Sequence, residues 1–348
     1  MLAPTQNTTH NKKPRRNIYL GLAALLFSPY CYASNSWTFA FIPQTWYGSY
    51  QDSLTRDAIL SYGLFTSADY LEKGGVTFGY NRSSVSGKSG TADIVGPDIE
   101  EAAVFLSGHY SAFPDALPGK LTFRLDGYSV EDKSTITETT VIPGGGMGGN
   151  DRVMSTSTTY TDNIVAGLFQ ISFSNYVETY YVDIGYAASS YDYDAADVMR
   201  DNDVQQFTPT AGFAFNESSD WLQARAYIIR LQHGDNTNQK TSSNAVELQW
   251  THWYQAQAFL GLDSIGINGV IGERISAVNP DAGEIYSLSD RQNSSISLVM
   301  SWQLDDSMEL TALAGYDQYT DFLANESDTL TEDDYSVFYG YINFSIQW

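Results

Sequence analysis

His109 and Ser111 are the first pair in the chain whose types and spacing suit catalysis. Residues two apart on a β-strand present their side chains on the same face, so a histidine base would stand beside a serine nucleophile. The other interpretation is a histidine within a ring of aromatic residues. His252 favours that interpretation in its own case, because it lies between Trp250 and Trp253.

A second candidate for hydrolytic chemistry surrounds His233, which is followed two residues later by Asp235. Asp192 and Asp194 would supply further carboxylates, and a histidine with carboxylates can activate a water molecule. Aspartate is so frequent in this chain that the same combination also arises without any catalytic role. Hydrolysis therefore remains an alternative and not the leading hypothesis.

Glycine-rich and acidic runs carry no recognisable cofactor motif. The run 144–149 has no lysine after it and no strand closely before it, so it is not a phosphate-binding loop. The acidic runs 191–203 and 325–334 contain oxygen ligands suited to Ca²⁺ or Mg²⁺, but their spacing fits no EF-hand. We therefore expect a solvated acidic surface with neither a metal nor a cofactor, and a Ca²⁺ or Mg²⁺ site is the alternative.

The last fourteen residues, 335–348, show which element positions these side chains. Every second residue from Trp348 back to Phe338 is apolar or glycine, and the interleaved residues from Gln347 back to Tyr339 are polar but uncharged. Side chains alternate between the two faces of a strand, so one face of this strand is apolar and rich in aromatic residues while the other is polar. Soluble sheets usually carry lysine, glutamate or arginine on the polar face, and this strand carries none.

A strand of this kind, ending the chain on an aromatic residue, resembles the closing strand of Gram-negative outer-membrane β-barrels. The resemblance implies that Phe344, Ile346 and Trp348 are an assembly signal read by the barrel assembly machinery. His109 and Ser111 are similar to the His-Ser pair of outer-membrane phospholipases and lipid A deacylases. However, the asparagine of the phospholipase pattern is missing here, and the pair falls at the periplasmic end of its predicted strand.

The N-terminus has the features of a secretory signal peptide over residues 1–33. A basic stretch precedes the apolar core 18–27, which is too short to span a bilayer, and Ala33 offers a cleavage site. Removing this segment takes away four bases and leaves 14 bases against 41 acids, a net charge of −27. Such a chain is unsuited to binding nucleic acid. The single cysteine, Cys31, lies in the signal, so no disulfide is expected.

Residues 34–348 are predicted to form one all-β domain, a single antiparallel transmembrane barrel of about 14 strands, within a range of 12 to 16. Short turns alternate with long, mostly acidic loops, which places both termini on the periplasmic side. The predicted strands are 37–49, 54–66, 74–82, 101–112, 119–130, 159–173, 178–189, 204–216, 220–232, 244–254, 256–270, 292–304, 307–320 and 335–348.

Tryptophan placement supports this topology, because most tryptophans stand beside a predicted periplasmic turn or terminus. Aromatic rings with a polar edge collect at the headgroup level of a membrane. The sequence therefore predicts an aromatic girdle that contains Trp37, Trp221, Trp250, Trp253 and Trp302.

The alternation also predicts which charged residues line a pore: Asp57, Arg124, Asp126, Asp183, Arg225, Glu247, Asp263, Glu309 and Asp317. Seven acids against two bases would favour cations in a water-filled lumen. The leading prediction is an outer-membrane porin-like channel, not an enzyme, for passive diffusion of small polar or cationic solutes. A ligand-binding or structural barrel with a blocked lumen is the alternative. The expected partners are outer-membrane lipid, lipopolysaccharide and small solutes, and the oligomeric state stays open.

Overall fold

The computed structural model describes residues 36–71, 73–88, 96–142, 152–194, 201–233, 240–254, 261–281, 284–285, 290–324 and 330–348. The predicted signal peptide and the glycine-rich run 144–149 lie outside the described residues. The strands are β1 (Trp37–Gln51), β2 (Arg56–Tyr70), β3 (Gly74–Gly87), β4 (Asp98–Ala112), β5 (Gly119–Ile142), β6 (Arg152–Asn175), β7 (Tyr180–Asp192), β8 (Asn202–Phe215), β9 (Asp220–Leu231), β10 (Ser242–Trp253), β11 (Leu262–Arg274), β12 (Val278–Asn279), β13 (Glu284–Ile285), β14 (Arg291–Asp305), β15 (Met308–Ala324) and β16 (Leu330–Gln347).

Fourteen of these strands close into an antiparallel barrel in which every strand pairs with its neighbours in the chain, apart from the inserted pair β12 and β13. The predicted fold class is confirmed. Strand β16 pairs with β1, and Phe39 and Trp348 exchange backbone hydrogen bonds of 3.0 and 3.1 Å. We call the end of the barrel at Trp37 and Trp348 the turn rim, and the opposite end the loop rim.

The outer wall is apolar, as the alternation in the sequence predicts. On β16, Phe338 and Ile342 are more than half exposed, and Leu125 on β5 is 65% exposed. On β14, Ile296 and Leu298 are exposed, whereas Ser297 and Ser301, which alternate with them, are buried. In a closed barrel the backbone N–H and C=O groups hydrogen-bond between neighbouring strands, so none needs water inside the lipid. With its apolar outer wall, this barrel is an outer-membrane protein. No helix among the described residues is long and apolar enough to cross a membrane.

One long connection predicted from the sequence is mostly strand. Residues 131–142 and 152–158, expected to belong to a polar loop, extend the hairpin of β5 and β6 until Ile142 lies opposite Arg152. Hydroxyl pairs bridge the two strands, with Thr135 and Thr159 3.1 Å apart. Cross-strand threonine pairs stabilise a ribbon even where neither face is apolar, which hydrophobic alternation does not reveal.

Two residues that were predicted to face the lumen do not do so. In β2 the pairing with β3 slips between Arg56 and Ala58, so Arg56 is buried while Asp57 is exposed. In β11 the buried residues Ser264 and Gly266 have the opposite parity to Asp263, so Asp263 does not belong to the inward set. An inserted residue reverses the alternation that follows it, so inward positions predicted across a bulge fail.

Candidate functional site: the barrel lumen

A segment between β11 and β14 turns into the lumen, and we call residues 275–290 the inward segment; 275–281, 284–285 and 290 are described. Gly272, near the end of β11, has φ at +105° and a hypothetical Cβ only 2.5 Å from the Asn244 carbonyl oxygen. Only glycine fits there. Ile275, Ala277 and Val278 are at most 1% exposed.

Hydrogen bonds from wall side chains to backbone groups fix the first half of the inward segment to the barrel wall. The amide of Gln206 on β8 donates to the Val278 carbonyl at 2.7 Å and accepts from the Val278 N–H at 2.9 Å. Tyr191 donates to the Ser276 carbonyl at 3.0 Å, and Arg124 donates to that of Pro280 at 2.8 Å. The side chains satisfy buried backbone groups that would otherwise be costly inside the barrel.

Two arginine–aspartate pairs hold the rest of the inward segment. Arg225 on β9 makes two hydrogen bonds to Asp281, of 2.8 and 3.0 Å, and its Nε donates to Thr210. Arg56 on β2 makes a bidentate ion pair with Asp290 through its two Nη atoms. Bidentate pairs of this kind fix orientation as well as distance.

An aromatic group surrounds the second of these pairs. The Tyr335 hydroxyl donates to Asp290 at 2.7 Å, and the guanidinium of Arg56 lies 5.6 Å from the Tyr335 ring centre and 5.9 Å from that of Tyr50. Aromatic faces attract the cation, which steadies Arg56 where it leaves the wall.

Apolar packing fills the lumen around the inward segment. The inward faces of β5 to β11 contribute Ile164, Leu168, Val204, Tyr227, Ile229 and Val270, which form one buried cluster with Ile275, Val278 and Ile285. This side of the lumen is packed like the core of a soluble domain.

The other side of the lumen holds a cavity of about 920 Å³ bordered mainly by β1 to β5 and β14 to β16. Its lining combines aromatic and aliphatic side chains with uncharged polar groups and several charged residues. The rings include Trp46, Phe65, Phe105, Tyr319, Tyr339 and Tyr341, and the polar groups include Gln44, Ser61, Asn81, Asn268, Gln292 and Asn343.

The structure places the predicted pore residues in three groups. Arg124, Glu247 and Asp317 line the cavity. Asp126, Asp183 and Arg225 are buried on the inward faces of their strands. Glu309 is half-buried and lies on the same face of β15 as Asp317. Asp57 is exposed and Asp263 is half-buried beside the turn rim. Conduction along these residues stays a prediction.

Two inward arginines, Arg56 and Arg274, are not among the residues predicted from the sequence. Arg56 faces the lumen because of the bulge in β2, and Arg274 lies beyond the predicted end of its strand, where it donates to Gln292 at 2.7 Å and stands 5.0 Å from the Tyr227 ring centre. The only signal for either was an arginine next to a strand end, which is also common at solvated rims.

The histidine sites do not assemble a hydrolase among the described residues. His109 lies 3.7 Å from Asp69, whereas Ser111 shares a hydrogen bond of 2.9 Å with Thr122. The backbone N–H of His233 donates to the side-chain oxygen of Asn202 at 3.3 Å, and Asp235 lies outside the described residues. His252 pairs with Asp220 at 3.0 Å.

The predicted girdle tryptophans all lie toward the turn rim, but they do not share one face. Trp302 alternates with the buried Ser301, and Trp37 and Trp253 are about two-fifths exposed. The Trp250 indole donates to Asp220 at 3.0 Å. Trp221 instead has the parity of Arg225 and covers Gly212, so it faces the lumen.

Comparison with solved structures agrees with this architecture. The CymD monoaromatic hydrocarbon channel matches with a TM-score of 0.52 at 8% identity, over 90% of this chain and 88% of that one. The P. putida toluene transporter TodX matches with a TM-score of 0.51 at 9% identity, over 91% of each chain. No protein-family model and no curated protein sequence matches the chain. At these identities the likeness shows the fold alone.

Proposed function

We propose that the chain is an outer-membrane channel through which small polar solutes diffuse along the cavity beside the inward segment. The observation that carries this proposal is a cavity of about 920 Å³ whose lining runs from Tyr50 and Ile99 near the loop rim to Thr77 and His109 near the turn rim. The inward segment narrows the lumen and is its constriction. The two solved barrels of similar fold are described as channels or transporters, which supports a transport role.

Polar solutes suit this lining better than hydrocarbons do. Amide and hydroxyl groups occur along the cavity from Gln44 to Gln292, and an apolar solute could not use the hydrogen-bonding capacity that these groups do not spend on one another. Among ions we propose a preference for cations, because Glu247 and Asp317 line the cavity and further acids are buried nearby.

A barrel with a blocked lumen, serving in binding or structure, is the second candidate. The apolar packing of the inward segment against β5 to β11 favours it, since that half of the lumen leaves no path for a solute. The two functions differ in one measurable property, which is whether the folded barrel conducts.

Conductance of the purified protein in a planar lipid bilayer tests the proposal. Wild-type protein should form open channels, and Gly315→Leu should lower their conductance. Residue 315 faces inward, and a Cβ there would lie 2.3 Å from the Tyr339 ring, which must move toward the cavity. Gly127→Leu is the matched control, because nothing lies within 4 Å of a Cβ at that position. A folded wild-type barrel that never conducts would favour the blocked-lumen function.

A further inference from the structure

Trp46 stands in the cavity wall between two groups of uncharged polar side chains. Its direct partner on β2 is Ser61 and its direct partner on β16 is Tyr341. The Trp46 ring lies 5.7 Å from the Tyr339 ring, and both rings line the cavity. An aromatic platform is therefore open to a solute at this level of the lumen.

Hydrogen-bonding groups flank the platform on both sides. Toward β16, the Tyr341 hydroxyl donates to Gln44 at 2.8 Å and accepts from the Asn343 amide at 2.8 Å. Toward β3, Ser61 donates to Asn81 at 2.8 Å, while Ser83 donates back to Ser61 at 3.1 Å. These side chains orient one another and line the cavity, so their positions are fixed before a solute arrives.

We infer that this part of the cavity binds the ring of a small, uncharged saccharide. The carbon-bound hydrogens on the flat face of a sugar ring carry slight positive charge and suit the negative face of an aromatic ring. The hydroxyl groups at the ring edge match the amides and hydroxyls on either side. The inference rests on the proposed role of the cavity as a solute path and names the class of solute.

Two other solute classes fit these contacts less well. An aromatic hydrocarbon would stack on Trp46 but could not use the hydrogen-bonding capacity that the flanking amides do not spend on their neighbours. An organic cation would gain from the rings, but the direct neighbours of Trp46 on both strands are uncharged. A cavity of this volume is in the range that encloses a small ligand.

Equilibrium binding to the folded full-length barrel tests the inference. The protein is held in a detergent without a sugar headgroup, and maltose and sucrose are titrated by calorimetry. Sorbitol serves as a polyol without a ring, and benzyl alcohol as an aromatic ring without the polyol edge. At least one disaccharide should bind saturably and clearly more tightly than sorbitol or benzyl alcohol. Failure of both disaccharides, or equal binding of sorbitol, would overturn the inference.

Substitutions locate the binding. Trp46→Ala should weaken disaccharide binding about tenfold, equivalent to about 1.4 kcal/mol of lost stacking. Trp302→Ala, which removes an outward-facing tryptophan, should not weaken it. Should Trp46→Ala lose the heat-modifiable gel mobility of a folded barrel, the Gln44→Ala/Asn343→Ala variant replaces it and should also weaken binding. Unchanged affinity in the folded variant would overturn the site.

Bilayer conductance separates this inference from the proposed function. A channel that conducts ions but binds no disaccharide retains the transport role and loses the saccharide assignment. Disaccharide binding by a barrel that never conducts retains the saccharide assignment and loses the transport role.

Discussion

Arg225 and Asp281 join the barrel wall to the inward segment through two parallel hydrogen bonds of 2.8 and 3.0 Å. The arginine side chain is 2% exposed and the aspartate side chain 53% exposed, so the pair lies where packed core meets cavity. It is a charge-assisted contact between the wall and the middle of the inward segment. Weakening it should loosen the constriction without opening the barrel.

Asp281→Asn should therefore raise open-channel conductance, because the amide replaces a charge-assisted pair with weaker hydrogen bonds. We expect about 1 kcal/mol of lost anchoring, since water reaches the aspartate. Glu131→Gln is the matched control, because it removes an exposed ion pair with Lys133 away from the inward segment.

A thiol probe can report the same loosening directly, because the only cysteine of the chain is Cys31 in the predicted signal peptide. Ala277→Cys places the probe at a fully buried position of the inward segment. Labelling by a maleimide should be slow in that variant and faster when Asp281→Asn is added. Equal rates would show that the pair does not hold the segment.

The closing strand should be required for assembly. Deleting residues 344–348 removes the pairs of Trp348 with Phe39 and of Gln347 with Ala40, and leaves part of β1 and β15 with unpaired edges. Unpaired backbone is not tolerated in lipid, so the truncated chain should fail to insert. Heat-modifiable mobility and protease resistance in outer-membrane fractions measure this. A truncated chain that still passes both assays would contradict the role of the closing strand.

Cation preference should depend on Glu309 and Asp317. Asp317 accepts hydrogen bonds of 3.0 Å from Gln292 and Tyr319, so Asp317→Asn keeps the shape of the site and removes its charge. Each charge several ångströms from the path is worth about 1 kcal/mol or less, and salt screens it. Wild-type channels should prefer K⁺ over Cl⁻ by up to about tenfold.

The reversal potential under a KCl gradient measures that preference. Glu309→Gln/Asp317→Asn should reduce it while conductance remains. An anion-selective wild-type channel would show that the predicted inward charges do not govern the path.

Much of the barrel was predictable from local sequence because strand alternation is a local property. Outward Ile296 and Leu298 and inward Ser297 follow from hydrophobicity alone, and so do the strand number and the closing role of residues 335–348. A side chain's face depends only on its parity while the strand is regular. The bulge at Arg56 breaks that condition for Asp57, whereas the prediction for Asp263 took the opposite parity to that of the inward Ser264.

The content of the lumen was decided by tertiary structure. Nothing local distinguishes residues 275–290 from a polar surface loop, since their burial depends on partners far away in the chain. Gln206, Arg225 and Arg56 lie on three different strands, and only closure of the barrel brings them around Val278, Asp281 and Asp290. Sequence thus determined a membrane barrel with an apolar outer wall. The long-range pairing of buried polar groups determined which connection narrows its lumen and where a cavity remains.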